Sequence, residues 1–380
     1  MKELKNIYSA YQKYDFENRL AALATVVKVK GSAYRRPGAR MFVTDDGRHI
    51  GGISGGCLEG DALRKARRVM ESGKPEIVTY DTMDDEAAMN MGIGLGCNGV
   101  IDILIEPIDA VMHGFFHEIG NLPNQKTPSC IATIIQSSDT SSVGAKHIFQ
   151  NGEHHILYNT SVSLSHKIAA IIDLDGAHPK SHITTVKSDD ESYEILFEWI
   201  QPSIHLYLFG GGFDINPIIH IAKMLDWKTT VANGCTALSA PARFPESDFV
   251  EKVDRSLIGD HFTFDEWSAV LLISHNYTFD LEVLKSFYPK KLSYLGILGP
   301  KKRFDKLRKD LISSGKNEEA FFEQIFSPSG LNIGADTPDE IAVSIISEIQ
   351  AAFKNKKGGF LKSLNTPIHK RHGSEDLTFA

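Results

Sequence analysis

The sequence predicts an α/β protein of two domains: a mixed α/β domain over residues 1–200, then a parallel-sheet domain over 201–354. Three observations carry this. Through the second half, short apolar strands recur at regular spacing with helical stretches between them, the pattern of a doubly wound parallel sheet. The first half instead closes its strands in hairpins, with Gly47 and Gly152 at the turns. At 380 residues the chain also exceeds what one hydrophobic core usually holds.

In chain order, residues 4–20 read as an amphipathic helix and "LATVVKVK" (23–30) as a β-branched strand. "ARMFVTDDGRHIGG" (39–52) reads as a hairpin with Asp46 and Gly47 at its turn. Residues 58–72 follow as a helix, with acids in its first turn and bases later. "IVTYD" and "GVIDILIEP" are further strands, and "NMGIGLGCNG" lies between them. Residues 130–156 echo residues 22–50. Each shows a strand, a polar turn, a Gly-Ala-basic triplet (ending in Arg40 or Lys146) and a hairpin. A degenerate internal duplication is the preferred reading, and two similar hairpins by chance is the other. In the second half "IHLYLFGGG" (204–212) is a buried strand running into glycines, with "KTTVAN", "AVLLISHN" and "KLSYLGILG" after it. "TPDEIAVSIISEIQAAF" closes the domain as a helix with Thr337 at its N-cap, Pro338 behind it and Glu340 completing a capping box. The tail, 355–380, is basic and expected to be mobile.

The formal net charge of −7 gives no bulk attraction to nucleic acid or to an anionic membrane. The first residues carry no secretory signature, and no window approaches the roughly 20 apolar residues of a membrane span. Four cysteines, Cys57, Cys97, Cys130 and Cys235, lie far apart without a CxxC spacing. That argues for a reducing compartment, and the expected location is cytoplasmic.

"GGISGGCLEG" (51–60) concentrates glycine where a helix should begin. Such a loop can aim several N–H groups at one anion, here from Ser54, Gly55 and Gly56, with Glu59 in the first turn behind them. Cys57 sits at the helix start, a position that favours the thiolate of a cysteine. Upstream, Ser32, Arg35, Arg36 and Arg40 suit a phosphate or similar oxyanion. The bland alternative is tight turns, a small buried thiol and solvated arginines. A second loop centred on Cys97, with Gly92, Gly94, Gly96 and Gly99 around it, adds weight to a site. Two soft thiolates suit a soft metal or a sulfur-bearing cofactor.

The run from "ATVVKVKGSAYRRPGAR" through "SGGCLE", together with "LGILGPKKR" and "GLNIGADTPDEIA", resembles the XdhC/CoxI family of accessory proteins for molybdenum hydroxylases. Family positions fall on Gly31 and Ser32, on 37–40, on 54–59, and on Cys97 and Gly99; residues 114–201 match poorly. The resemblance implies a chaperone that binds the molybdenum cofactor (molybdopterin), supports its sulfuration by a cysteine desulfurase, and inserts it into a client such as xanthine dehydrogenase. It also implies a homodimer. Backbone amides and arginines would hold the pterin phosphate, and Cys57 and Cys97 would lie near the molybdenum. The chain itself would not be the catalyst. Four scattered cysteines cannot build an iron–sulfur electron chain, so the partner's name could attach to such a protein.

The same resemblance makes the second half a Rossmann-like domain, and "FGGGFDINP" can be set against G-x-G-x-x-G/A. Gly210 and Gly212 fit, but Ile215 replaces the third small residue. Asn233 ends the second strand of that domain where an acid would take ribose hydroxyls, and Phe213 and Ser274-His275-Asn276 depart from the family pattern. His275, at a strand's C-terminal end, is a ligand candidate. The domain is therefore expected to be a scaffold or an altered nucleotide site. An NAD(P)-dependent oxidoreductase and a cofactor-free scaffold are the rival readings.

Overall fold

A computed structural model describes residues 2–81, 99–122, 125–157, 160–176, 179–188 and 190–365. The chain divides into two compact units, with the boundary between Pro202 and Ser203.

The first unit opens with α1 (Lys2–Gln12), followed by β1 (Ala21–Gly31), β2 (Arg40–Thr44), β3 (His49–Gly51), α2 (Glu59–Ser72), β4 (Glu76–Asp81) and β5 (Gly99–Pro107). Helix α1 stops short of the expected residue 20. Beyond it Tyr14 turns its ring edge to Phe42, and its hydroxyl lies within hydrogen-bonding distance of Leu20 O and Asp45, contacts that a continuous helix could not make. The strands form one antiparallel sheet in the order β3-β2-β1-β5-β4. After α3 (Ala110–Asn121) come β6 (Ser129–Ser137), β7 (Lys146–Gln150), β8 (Glu153–Leu157), α4 (Val162–Leu174), β9 (His182–Ser188) and β10 (Glu191–Ile200). These form a second sheet in the order β8-β7-β6-β10-β9, the first order with every strand advanced by five.

Period-two alternation sorts each sheet's side chains onto two faces. Ala22, Ala24 and Val26 of β1 pack with Ala62, Ala66 and Val69 of α2, while Leu23 meets Phe42, Phe116, Ile131 and Ile148. In the second sheet Ala132 and Ile134 pack with Leu164, Ile168 and Ile171 of α4. Each sheet therefore turns one face to its own helix and the other toward its counterpart, where Val27, Leu104, Ile135 and Leu196 meet.

The likeness extends to individual bonds. Each central strand carries a bulge at the equivalent residue: the β1–β5 register shifts between Val26 and Lys28, and the β6–β10 register between Ile134 and Gln136. Val26 N donates to Ala39 O and Gly38 N to Val26 O, both at 2.8 Å; Ile134 N–Ala145 O (3.0 Å) and Gly144 N–Ile134 O (2.9 Å) repeat the exchange. Gly38 (φ +94°) and Gly144 (φ +92°) share a backbone conformation that a side chain would strain.

The basic residue of each Gly-Ala-basic triplet crosses to the other sheet. Arg40 donates to Glu198 of β10, with Nη1 at 2.8 Å from Oε1, and Lys146 donates to Glu106 of β5. Each also caps its own turn, Arg40 on Gly38 O and Lys146 on Gly144 O, both at 2.9 Å. Both cations lie over the ring of Phe115, at 5.8 and 5.5 Å from its centroid. Burial works against the Arg40 charge, but Glu198 outweighs it and holds the guanidinium above its ordinary value. Burial raises the Glu106 carboxyl and lowers the Lys146 amine.

The second unit runs β11 (His205–Gly210), α5 (Ile215–Met224), β12 (Lys228–Asn233), β13 (Phe249–Lys252), β14 (Ser268–Ile273), α6 (Tyr277–Phe287), β15 (Tyr294–Ile297), α7 (Lys301–Ser313), β16 (Ile325–Phe326) and α8 (Pro338–Phe353). The sheet is parallel throughout, ordered β13-β12-β11-β14-β15-β16. Strands β11, β14 and β15 are largely apolar runs because helices cover both faces of the sheet. The edge strands β13 and β16 are too short to stand out in the sequence. Thr337 and Glu340 form the expected capping box at α8.

Candidate functional site

The first cluster lies in unit 1, where the segment after β1 meets the loop before α2. A Cβ placed on Gly55 would lie 3.4 Å from the Tyr34 ring, so the exposed tyrosine covers that glycine. Gly99, opening β5, pairs with Gly31, and a methyl group on it would come within 2.6 Å of the carbonyl oxygens of Lys30 and Ser32. The segment 31–34 thus meets both Gly55 and Gly99, and Cys57, half-buried, packs against the core that Val29 and Ala33 also border. Cys97 and its flanking glycines lie outside the described residues.

Several candidates have internal duties. Glu59 accepts from Ile53 N (3.2 Å) and Ser54 N (2.8 Å) and also from the Ser54 hydroxyl. Burial opposes its charge, but these hydrogen bonds hold its carboxyl below the ordinary value. Ser54 Oγ in turn accepts from Gly56 N and Leu58 N, each at 3.1 Å. The loop is therefore organised from within by Ser54 and Glu59, and two of its expected N–H donors are used there. Among the described residues the N–H groups of Gly55 and Cys57 find no acceptor.

The arginines separate in the same way. Arg40 is in the core, paired with Glu198, so it does not face the loop's ligand side. Arg35 pairs with Glu3 of α1, whose other oxygen accepts from Arg40 N at 3.1 Å. Arg36 is exposed, and no acid pairs with it among the described residues. Two amides, one accessible thiol, the Ser32 hydroxyl and one guanidinium remain for a ligand. Of these, the amides and the guanidinium are oxyanion donors, and the thiol is a nucleophile or soft-metal ligand. Sequence reasoning missed Tyr34, which only its contact with Gly55 reveals. Of the other cysteines, Cys130 is fully buried and burial pushes its thiol up, whereas Cys235 is exposed in unit 2.

In unit 2 the β11–α5 turn supplies Gly210 and Gly212. A methyl group on Gly210 would lie 2.3 Å from Ile273 O, so glycine is needed for β11 to pack against the end of β14. His275 follows β14 and bonds through Nε2 to Asp214 Oδ2 at 2.7 Å. Asn233 turns back on its own loop, its Oδ1 accepting from Cys235 N at 2.9 Å. A ribose acceptor is missing from that strand end, so the residues present do not fit an ordinary nicotinamide dinucleotide.

Among the described residues, no helix is long and apolar enough to cross a membrane and no cluster of histidine, cysteine and carboxylate side chains is arranged to hold a metal ion. An antiparallel two-sheet unit with a glycine-cysteine loop, joined to a Rossmann unit, defines a class of two-domain α/β protein. The model of the XdhC and CoxI family matches residues 17–81, and that of the XdhC Rossmann domain matches residues 206–349. The chain belongs to the XdhC and CoxI family. It is 28% identical over 329 residues to a probable xanthine dehydrogenase subunit from Bacillus subtilis, covering 87% of this chain and 92% of that one. It is 22% identical to the molybdenum cofactor insertion chaperone PaoD of Escherichia coli, over 87% of this chain and 82% of PaoD. A crystal structure described as a xanthine dehydrogenase from Bacillus halodurans shares the fold, with a TM-score of 0.73, 24% identity and coverage of 93% of this chain and 97% of that one.

Proposed function

We propose that the chain is an accessory chaperone that binds the molybdenum cofactor as cargo, supports its sulfuration and passes it to a xanthine dehydrogenase-type molybdenum hydroxylase. The observation that carries this reading is the glycine-cysteine loop, its Gly55 covered by Tyr34 and its Cys57 half-buried, within the segment matched by the family model. The name of PaoD supports cofactor insertion as the family's task. In this reading Arg36 and the amides hold the pterin phosphate, and Cys57 lies toward the sulfur-liganded metal. Cys97 is its proposed companion. A cysteine desulfurase supplies the sulfur, the chaperone acts as a homodimer in the cytoplasm, and the chain performs no turnover of the hydroxylase substrate.

The test is anaerobic incubation of the purified protein with molybdenum cofactor, gel filtration, and fluorescence of the oxidised pterin in the protein fraction. Wild type, Cys130→Ala and Cys235→Ala are expected to retain equal pterin. Cys57→Ala is expected to lose about tenfold in affinity, the scale of one charge-assisted contact. Equal retention by all three variants would remove Cys57 from the site. No pterin in the wild type would favour a scaffold that bridges desulfurase and hydroxylase without carrying cofactor.

A further inference from the structure

The strand order of unit 2 reverses between β11 and β14, and in open parallel sheets ligands enter at that point, beyond the strand C-termini. In a dinucleotide site the diphosphate rests there on the first turn of the helix after β11, drawn by free amides and the helix dipole. Here a carboxylate is already in place. Asp214 immediately precedes α5 and makes no capping hydrogen bond to it. Its Oδ1 lies over the glycine turn, so a Cβ on Gly212 would be only 2.2 Å from that atom. Oδ1 is a buried acceptor without a donor among the described residues, while Oδ2 is taken by His275.

His275 is held to this task. It sits at φ +53°, a conformation seldom adopted by residues other than glycine and found where local structure over-determines it. The residues on either side fix it. Ser274 Oγ donates to Asp280 Oδ1 at 2.5 Å, Arg303 donates to Asp280 Oδ2 at 2.6 Å, and Asn276 caps α6 by accepting from Phe279 N at 3.0 Å. On the far side Arg243 donates to Gly211 O at 2.9 Å, fixing the glycine turn itself. The strained histidine thus belongs to an ordered frame, and the frame holds the Asp214 carboxylate where a phosphate would lie.

We propose that Asp214, positioned by His275, is the specificity-determining residue of this crevice: it rejects the diphosphate of a dinucleotide and accepts a ligand that brings N–H donors to the first turn of α5. Two like charges a few ångströms apart in a partly shielded crevice repel enough to weaken binding about a hundredfold or more. The free Oδ1 offers an acceptor that an amine, amidine or amino-substituted ring can satisfy, and satisfying a buried orphan acceptor favours such a ligand. This inference concerns unit 2 alone and is independent of the cargo reading of unit 1.

The test titrates the full-length protein with ADP-ribose, a diphosphate probe, by calorimetry, and with benzamidine, an amidinium probe, by thermal shift. Wild type is expected to bind ADP-ribose at least about a hundredfold more weakly than Asp214→Ser. Asp214→Asn, which keeps the shape and removes the charge, should recover much of the same gain. His275→Ala, which keeps the carboxylate but releases its Oδ2, should recover part of that gain. Benzamidine should raise the unfolding temperature of the wild type and not that of Asp214→Ser. The proposal is overturned if wild type and Asp214→Ser bind ADP-ribose equally, or if benzamidine fails to distinguish the two. ADP-ribose binding by His275→Ala no tighter than by wild type would remove the positioning role of His275.

Discussion

Glu198→Ala is expected to destabilise unit 1 by about 3–5 kcal/mol, the cost of leaving one member of a buried ion pair without its partner. The Arg40 side chain is 2% exposed and Glu198 11%, so water cannot replace the lost carboxylate. The guanidinium would retain only Gly38 O, and its Nε already lacks a partner. The Lys28–Glu194 pair joins the same two sheets but is about one-fifth exposed on each side, so Glu194→Ala is expected to cost no more than about 1 kcal/mol. Replacing Arg40 and Glu198 together by methionine should recover most of the loss, because no charge is then stranded. Urea unfolding of the full-length variants measures all three. A Glu198→Ala loss no larger than that of Glu194→Ala would show that the pair does not hold the sheets together.

Acid should loosen the same unit through His147. Its ring is fully buried, Nδ1 lies 2.9 Å from His154 Nε2, and Nε2 lies 3.0 Å from Thr160 Oγ1. One imidazole must donate to the other, which requires an unprotonated nitrogen between them. Burial, with the neighbouring His154, pushes the His147 value down to about 4 from 6.5. The unfolded chain therefore binds the extra proton first as pH falls. This contribution is complete above pH 6.5 and is lost progressively down to about pH 4. The full depression corresponds to about 3 kcal/mol. His147→Gln should flatten stability across this window relative to wild type, as read from urea midpoints at successive pH values. Parallel curves for the two proteins would rule His147 out as the acid-sensitive group.

Local chemistry made much of this architecture legible. The Asp46-Gly47 turn, the helix over 59–72 and the capping box at Thr337 are short-range patterns, and each lies where its residues place it. The second sheet was harder to read because Glu194 and Glu198 interrupt the apolar pattern of β10; only across the unit does each acid find its cation. Arg40 shows the same limit from the other side. A guanidinium in a glycine-rich run looks like an anion ligand until its partner, 158 residues away, is seen. Ser54 and Glu59 have the composition of a binding loop, yet their hydrogen bonds close on each other. Asp214 occupied a variable position of the dinucleotide fingerprint, so only its place over Gly212 gives it meaning.

The crossed pairs Arg40–Glu198 and Lys146–Glu106 are what two copies of one half would form about a twofold axis. Separate identical chains would have to carry the same loop twice, and any change in it would appear at both ends of the assembly. Within one polypeptide that restriction is lifted. The joint needs only the Gly-Ala-basic turn and the distant glutamate from each copy, and both copies retain them. The segment leading into the outer helix is then free to differ: Gly55, Gly56 and Cys57 before α2, Thr160 and Ser161 before α4. Symmetry in the interior thus coexists with asymmetry at the rim.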